Sequence, residues 1–125
     1  MVAIPMALYP TAKQIYTWRT GQKRLVEFSK TDYLKCGYED VNAAAKPVFE
    51  HAIASLSQLG PFEEEKDKLT ILEQCVLELN KIQYDDTIKN SIMTVEREIY
   101  CNIVLQFGDF VGVDFQQLLD ETRGF

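Results

Sequence analysis

Histidine occurs once in these 125 residues, at His51, and cysteine three times, at Cys36, Cys75 and Cys101. No two cysteines stand at CxxC spacing and His51 is near none of them in sequence, so neither a zinc site nor a disulfide framework is supported. Three dispersed thiols instead fit a reducing compartment, where a buried Cys packs as a small apolar side chain. No P-loop, GxGxxG, HExxH or EF-hand loop occurs. No run approaches the ~20 apolar residues that a membrane span requires. The apolar opening MVAIPMALYP has no basic n-region, is interrupted by Pro5 and Pro10, and is followed by no small-residue cleavage site. It predicts an extended segment rather than a secretory leader, and a cytoplasmic protein. Sustained two-residue alternation, Asn-Gly hairpin turns, internal repeats and low-complexity tracts are missing as well, which leaves little room for a sheet.

What is present is ordinary globular material. The chain is 46% hydrophobic and 26% charged, and it carries seven Phe, six Tyr and one Trp. That excludes global disorder and is enough to close one core without covalent staples. Charge is unevenly divided. Residues 1–60 hold seven Lys/Arg against five Asp/Glu, a balance of +2, and residues 61–125 hold six against fourteen, a balance of −8. An acidic surface repels nucleic acid and speeds encounter with basic partners.

The apolar spacing is helical throughout. Thr11 with Gln14 three residues on forms a capping box after Pro10. Ile15, Trp18, Gln22, Leu25, Val26 and Ser29 then follow one stripe, and Gly21 within it either marks close packing or is tolerated at a cost of about 1 kcal/mol. The opposite side carries Lys13, Arg19, Lys23, Arg24 and Lys30. Residues 31–40 read as a connection turning at Gly37. Asp40 or Asn42 can cap a second helix with Val41, Ala45, Val48, Phe49, Ala52, Ile53, Leu56 and Leu59 inward. Pro47 should kink that helix or mark its start.

Gly60-Pro61 predicts a boundary, with Pro61 at the first position of a third helix and Glu63, Glu64 and Glu65 beside its positive end. That helix buries Phe62, Leu69, Leu72, Cys75, Val76, Leu79 and Ile82, and 83–90 is a polar connection. Thr94 can cap a fourth helix with a broad apolar set: Val95, Ile99, Tyr100, Ile103, Val104, Phe107, Phe110 and Val111. Gly112 ends it, and Asp114 with Gln117 opens a short fifth helix. The expectation is an all-α, single-domain bundle of about five helices spanning 1–125.

Catalysis finds no constellation here. Nucleophilic chemistry needs a thiol or hydroxyl beside an activating base, and the sole His lies on a helix beside an apolar stripe. Cys75 and Cys101 occupy apolar helix positions, where a thiol is inert. Glu96 and Glu98 are two apart and point in different directions, so they cannot share a metal. No enzyme activity, cofactor or metal is expected. A nucleic-acid footprint on the first helix is disfavoured by the chain's pI of about 4.8 and by Glu27, which can pair with Lys23.

The remaining candidate is a protein-binding surface. If the third and fourth helices form an antiparallel hairpin, Tyr84, Asp85, Asp86, Glu96 and Glu98 gather at one end, and Glu63, Glu64 and Asp67 at the other. An aromatic ringed by carboxylates suits a basic partner. The second half, with LEQCVLELNKI at 72–82 and IMTVEREIYCNIVLQFGDFVGVD at 92–114, resembles the helical immunity proteins that protect bacteria from polymorphic or contact-delivered toxins. The resembling features are Leu79-Asn80, the Thr94-Val95-Glu96-Arg97-Glu98 helix start and the Gly112-Val113-Asp114 exit. The resemblance implies a small acidic protein that neutralises a cognate, basic protein toxin by binding it and performs no reaction. An alternative reading is an adaptor that oligomerises through the broad apolar face of the fourth helix.

Overall fold

Five α-helices form along residues 11–125, the part of the chain that the computed structural model describes: α1 (Ala12–Ser29), α2 (Glu39–Ser57), α3 (Glu65–Gln83), α4 (Thr94–Val111) and α5 (Gln116–Thr122). The opening segment read as extended lies outside the described residues. The helix start at Thr11 is the expected capping box: the Gln14 amide donates to Thr11 Oγ1 at 3.1 Å, and the Thr11 amide donates to Gln14 Oε1 at 2.6 Å. Two otherwise orphaned donors are thereby satisfied reciprocally. Gly112 closes α4 in the left-handed conformation at φ 77°.

Other boundaries differ from the sequence reading. α3 begins at Glu65, four residues after Pro61, because 58–64 is used as an independent turn at the end of α2. Phe62 in that turn is exposed rather than buried. Met93, not Thr94, precedes α4, and Tyr38 rather than Asp40 or Asn42 precedes α2, in neither case with a side-chain cap. Phe115, also without a side-chain cap, precedes α5, while Asp114 accepts from the Gln116 amide instead of completing a box. Pro47 lies inside α2, its ring on the exposed side where the unmade hydrogen bond faces water.

The first four helices run up and down in turn. Trp18 Nε1 donates to the Leu59 carbonyl and Gln22 Nε2 to the Leu56 carbonyl, so α1 and α2 are antiparallel. Gly21 lies against Phe110 while Phe28 meets Phe107, so α1 and α4 also oppose. At the α3–α4 seam, Gln83 Oε1 accepts from the Ile92 amide, and Leu72 lies across from Gly108. α1 and α3 thus occupy opposite corners, while α2 and α4 also meet across the centre through Phe49, Tyr100 and Phe107. The short α5 folds back on α3, where Asn80 Nδ2 donates to the Thr122 carbonyl and Asn80 Oδ1 accepts from the Gly124 amide.

Inside, the expected stripes of α2, α3 and α4 meet: Phe49, Leu56, Leu72, Val76, Leu79, Tyr100, Val104 and Phe107 are fully buried. Phe49 packs edge-on against both Tyr100 and Phe107, at 5.5 and 6.2 Å between ring centres, and Phe28 stacks on Tyr33 at 4.8 Å. Such pairs add about 0.5–1.5 kcal/mol each beyond their buried area. Val26 and Val95, assigned to stripes from spacing, lie half-exposed at stripe edges.

Gly21 is a contact glycine. A Cβ placed on it would stand 1.8 Å from the Phe110 carbonyl oxygen, a backbone atom that cannot swing away. In an unpacked helix Gly21→Ala would gain about 1 kcal/mol. Here the expected outcome is the reverse, a loss of about 1–3 kcal/mol from forced separation of α1 and α4. Urea denaturation measures the sign directly.

Candidate functional site

The α1–α2 connection (30–38) and the α3–α4 connection (84–93) come together at one end of the bundle, and the proposed surface sits there. Buried polar groups fix this end. Asn42 Nδ2 donates to the carbonyls of Leu34 and Cys36 at 3.2 and 2.7 Å, and Asn42 Oδ1 accepts from the Tyr100 hydroxyl. Asp40 accepts from the backbone and side-chain amides of Asn90, at 2.9 and 3.1 Å, which joins the second connection to the first turn of α2. Those bonds, the backbone one foremost, hold the Asp40 carboxyl below its usual range.

Glu96, expected in the binding surface, is not available to a partner. It is 1% exposed, and its Oε1 accepts from the Tyr38 amide at 3.1 Å. Gly37 makes this possible: its backbone is left-handed at φ 100°, and any Cβ there would come within 2.8 Å of Glu96 Cγ. Glu96 stands four residues before Tyr100 and seven before Ile103, so its inward direction is readable from helical spacing. Its place in the first turn of α4 concealed it, because the helix dipole alone explains a carboxylate there.

Tyr84, Asp85 and Asp86 are outward as expected. Tyr84 follows the last residue of α3 and is 75% exposed, its hydroxyl donating to the Gly124 carbonyl at 3.5 Å. Asp85 Oδ1 accepts from the hydroxyl and amide of Thr87, at 2.6 and 2.9 Å, and these bonds lower its carboxyl below the usual range. It is therefore ionised at neutral pH, with its rotamer fixed by the turn. Glu98 is exposed one turn before Cys101, whose sulfur accepts from Arg123 Nη1 at 3.4 Å. The C-terminal residues thus link the Tyr84 edge to the Glu98 face. Glu63, Glu64 and Asp67 are exposed at the opposite end, roughly 26 Å away at 1.5 Å per helical residue.

Comparison with protein-family models, characterised proteins and solved structures gives no match.

Among the described residues, the single ion pair joins Lys81 and Glu78 at 2.9 Å. The Lys23–Glu27 pair anticipated from spacing does not form, and Asp85, Asp86 and Glu98 have no cation within ion-pair distance among the described residues. The broad apolar set of α4 is occupied internally: Tyr100, Ile103, Val104, Phe107 and Phe110 are all buried against α1, α2 and α3. Of the same set, Val95 is half-exposed and Ile99 and Val111 are partly buried.

His51 and Cys75 line one shallow groove of about 220 Å³ between α2 and α3. Burial pushes the Cys75 thiol up to about 12, with the nearby Glu78 charge adding to it. A thiol so raised remains protonated at neutral pH and is a poor nucleophile despite the neighbouring imidazole. No group of three or more His, Cys, Asp or Glu among the described residues is placed to hold a metal ion.

Two outcomes follow from these environments. A disulfide reagent should label exposed Cys36 promptly in the native protein, and Cys75 only on unfolding; equal rates would contradict the packing. The Tyr100 phenol is raised by burial first, and by Glu96 and Asp40. A raised folded-state pKa means that stability is retained below the unfolded value of about 10 and lost as pH rises beyond it. Tyr100→Phe should flatten that alkaline limb while costing about 1–3 kcal/mol at neutral pH, since Asn42 Oδ1 then has no donor. Denaturation at a series of pH values separates the two effects.

Proposed function

We propose that this chain is a non-catalytic binding protein that neutralises a cognate toxin through the acidic bundle end around Tyr84. The observation that carries the reading is a three-quarters exposed Tyr84 followed directly by two exposed carboxylates without paired cations. A rigid aromatic supplies large contact area at small entropic cost, and tends to dominate the binding energy where it is used. Carboxylates around it raise the association rate of a basic protein and disfavour acidic competitors. The reading agrees with what the resemblance of 72–82 and 92–114 to helical immunity proteins implies, and Glu96 is removed from the contact set.

Support also comes from how the surface is held. Asp85 is locked by Thr87, and Asp40 ties the connection of residues 84–93 to the start of α2. A surface fixed before encounter avoids much of the ordering cost of association. The buried, protonated thiol of Cys75 in the groove beside His51 is a poor nucleophile, in keeping with a binding role.

The test is binding to a toxin encoded beside the gene. Asp85→Lys combined with Asp86→Lys should slow association by at least tenfold at low salt, with the difference narrowing as salt rises. Tyr84→Ala should instead speed dissociation. Surface plasmon resonance resolves the two rates; unchanged kinetics in both variants would remove this end of the bundle as the contact.

A further inference from the structure

The bundle end away from Tyr84 holds a cleft of about 310 Å³, enclosed by the first half of α1, residues 59–63, the start of α3 and the end of α4. That volume falls at the low end of the range for small-molecule sites, roughly 300–1,000 Å³. Trp18, Leu59, Pro61 and Phe110 supply its apolar lining, and Lys13, Lys68 and Glu63 its charges.

The walls are set before any ligand arrives. Trp18 Nε1 donates to the Leu59 carbonyl at 2.7 Å and Gln22 Nε2 to the Leu56 carbonyl at 3.0 Å, which fixes the turn after α2 to α1. The α4 wall is fixed equally, because Gly21 sits directly against the Phe110 backbone. Walls held in this way keep the ordering cost of binding small. Gly60 is a second, independent sign of a site. Its φ is not positive, so its backbone does not call for glycine. A Cβ built on it would meet nothing within 4 Å, so packing does not exclude a side chain either. The missing side chain leaves that wall of the cleft open.

The charges give the ligand a sign. Lys68 is partly buried, and neither it nor Lys13 has a carboxylate within ion-pair distance among the described residues. Two lysines against Glu63 leave the lining at +1, which one singly charged anion neutralises. An anion with no apolar body would forgo the indole and the proline ring, and a neutral ring would leave the lysines unmatched. We propose that this cleft binds a small monocarboxylate with a flat apolar body, its carboxylate toward Lys13 and Lys68 and its ring against Trp18 and Pro61. The site shares no residue with the Tyr84 surface and does not rest on the toxin-binding reading.

Trp18 is the chain's only tryptophan, so its fluorescence and its single indole N–H resonance both report on this cleft. Phenylacetate serves as the probe and phenylacetamide as its neutral isostere. Phenylacetate should shift both signals saturably, with a Kd on the order of 1 mM, the scale for a molecule of about ten heavy atoms. Phenylacetamide, and phenylacetate with Lys13→Gln/Lys68→Gln, should each bind about tenfold more weakly. Gly60→Leu, which occupies the open wall, should abolish the saturable shifts while melting no lower than wild type. Both lysines are surface positions, so their variant tests the site even if Gly60→Leu folds poorly. Shifts that grow linearly without saturation, or no shift in either signal, overturn the proposal, as does equal binding of phenylacetamide. Wild-type affinity in Lys13→Gln/Lys68→Gln, or in a folded Gly60→Leu, places the ligand outside this cleft and overturns it as well.

Discussion

The bundle is closed at one end by a single amide side chain. Asn42 offers two donors and an acceptor, and each is used: the loop carbonyls of Leu34 and Cys36 take the donors, and Tyr100 supplies a proton to the acceptor. A connection that turns back over a hydrophobic core brings backbone carbonyls away from water, and each left unpaired costs about as much as a lost hydrogen bond. One residue on α2 thereby fastens the preceding loop to α4, 58 positions further along the chain. Glu96 repeats the device from the other side, meeting the Tyr38 amide beneath the Gly37 turn. In a low-dielectric site these bonds are worth more than they would be in water, and an incomplete set would be worse than an apolar replacement. Among the described residues no buried side-chain nitrogen or oxygen is left without a partner.

That closure governs what the outside of this end can do. Asp40, two residues before Asn42, anchors Asn90, and Gln83 holds the Ile92 amide, so the connection carrying Tyr84, Asp85 and Asp86 is tied at both extremities. The polar interior thus fixes the exposed carboxylates at one remove.

Local chemistry announced much of this architecture in the residues themselves. The Thr11–Gln14 box, the Gly112 exit and the three- and four-residue steps of Phe49, Leu56, Leu72, Leu79, Tyr100 and Phe107 depend only on helix geometry, and the structure keeps them. The departures occur where tertiary packing decides. Pro61 has the chemistry of a helix start, yet the turn of residues 58–64 needs it elsewhere; Val26 and Val95 keep helical spacing but fall outside the arc that neighbouring helices cover. Glu96 differs in kind. Its charge argued for solvent and its spacing argued for the core, and spacing won because a turn with a left-handed glycine supplied a donor 58 residues away. Which donor would arrive cannot be read from the neighbourhood of residue 96. Of the surface, the outward position of Tyr84, Asp85 and Asp86 was readable because all three follow the last turn of a helix whose core positions are fixed.

Charge is where sequence order and spatial order part. Division of the chain into halves gives +2 and −8, and in the folded molecule the cations of residues 11–30 lie along α1 while exposed acids stand at the two ends of α3. A net charge of −6 would serve solubility equally well if scattered. Segregation adds like-charge repulsion within each face and leaves the net value unchanged, so solubility alone does not account for it. What segregation provides is a field with direction, which orients an approaching charged surface before contact. The near absence of ion pairs among the described residues strengthens that field, because carboxylates already matched to lysines on the same molecule would be partly neutralised. On the reading proposed above, the carboxylates beside Tyr84, which have no cation within ion-pair distance among the described residues, are the part of that field a basic partner would meet.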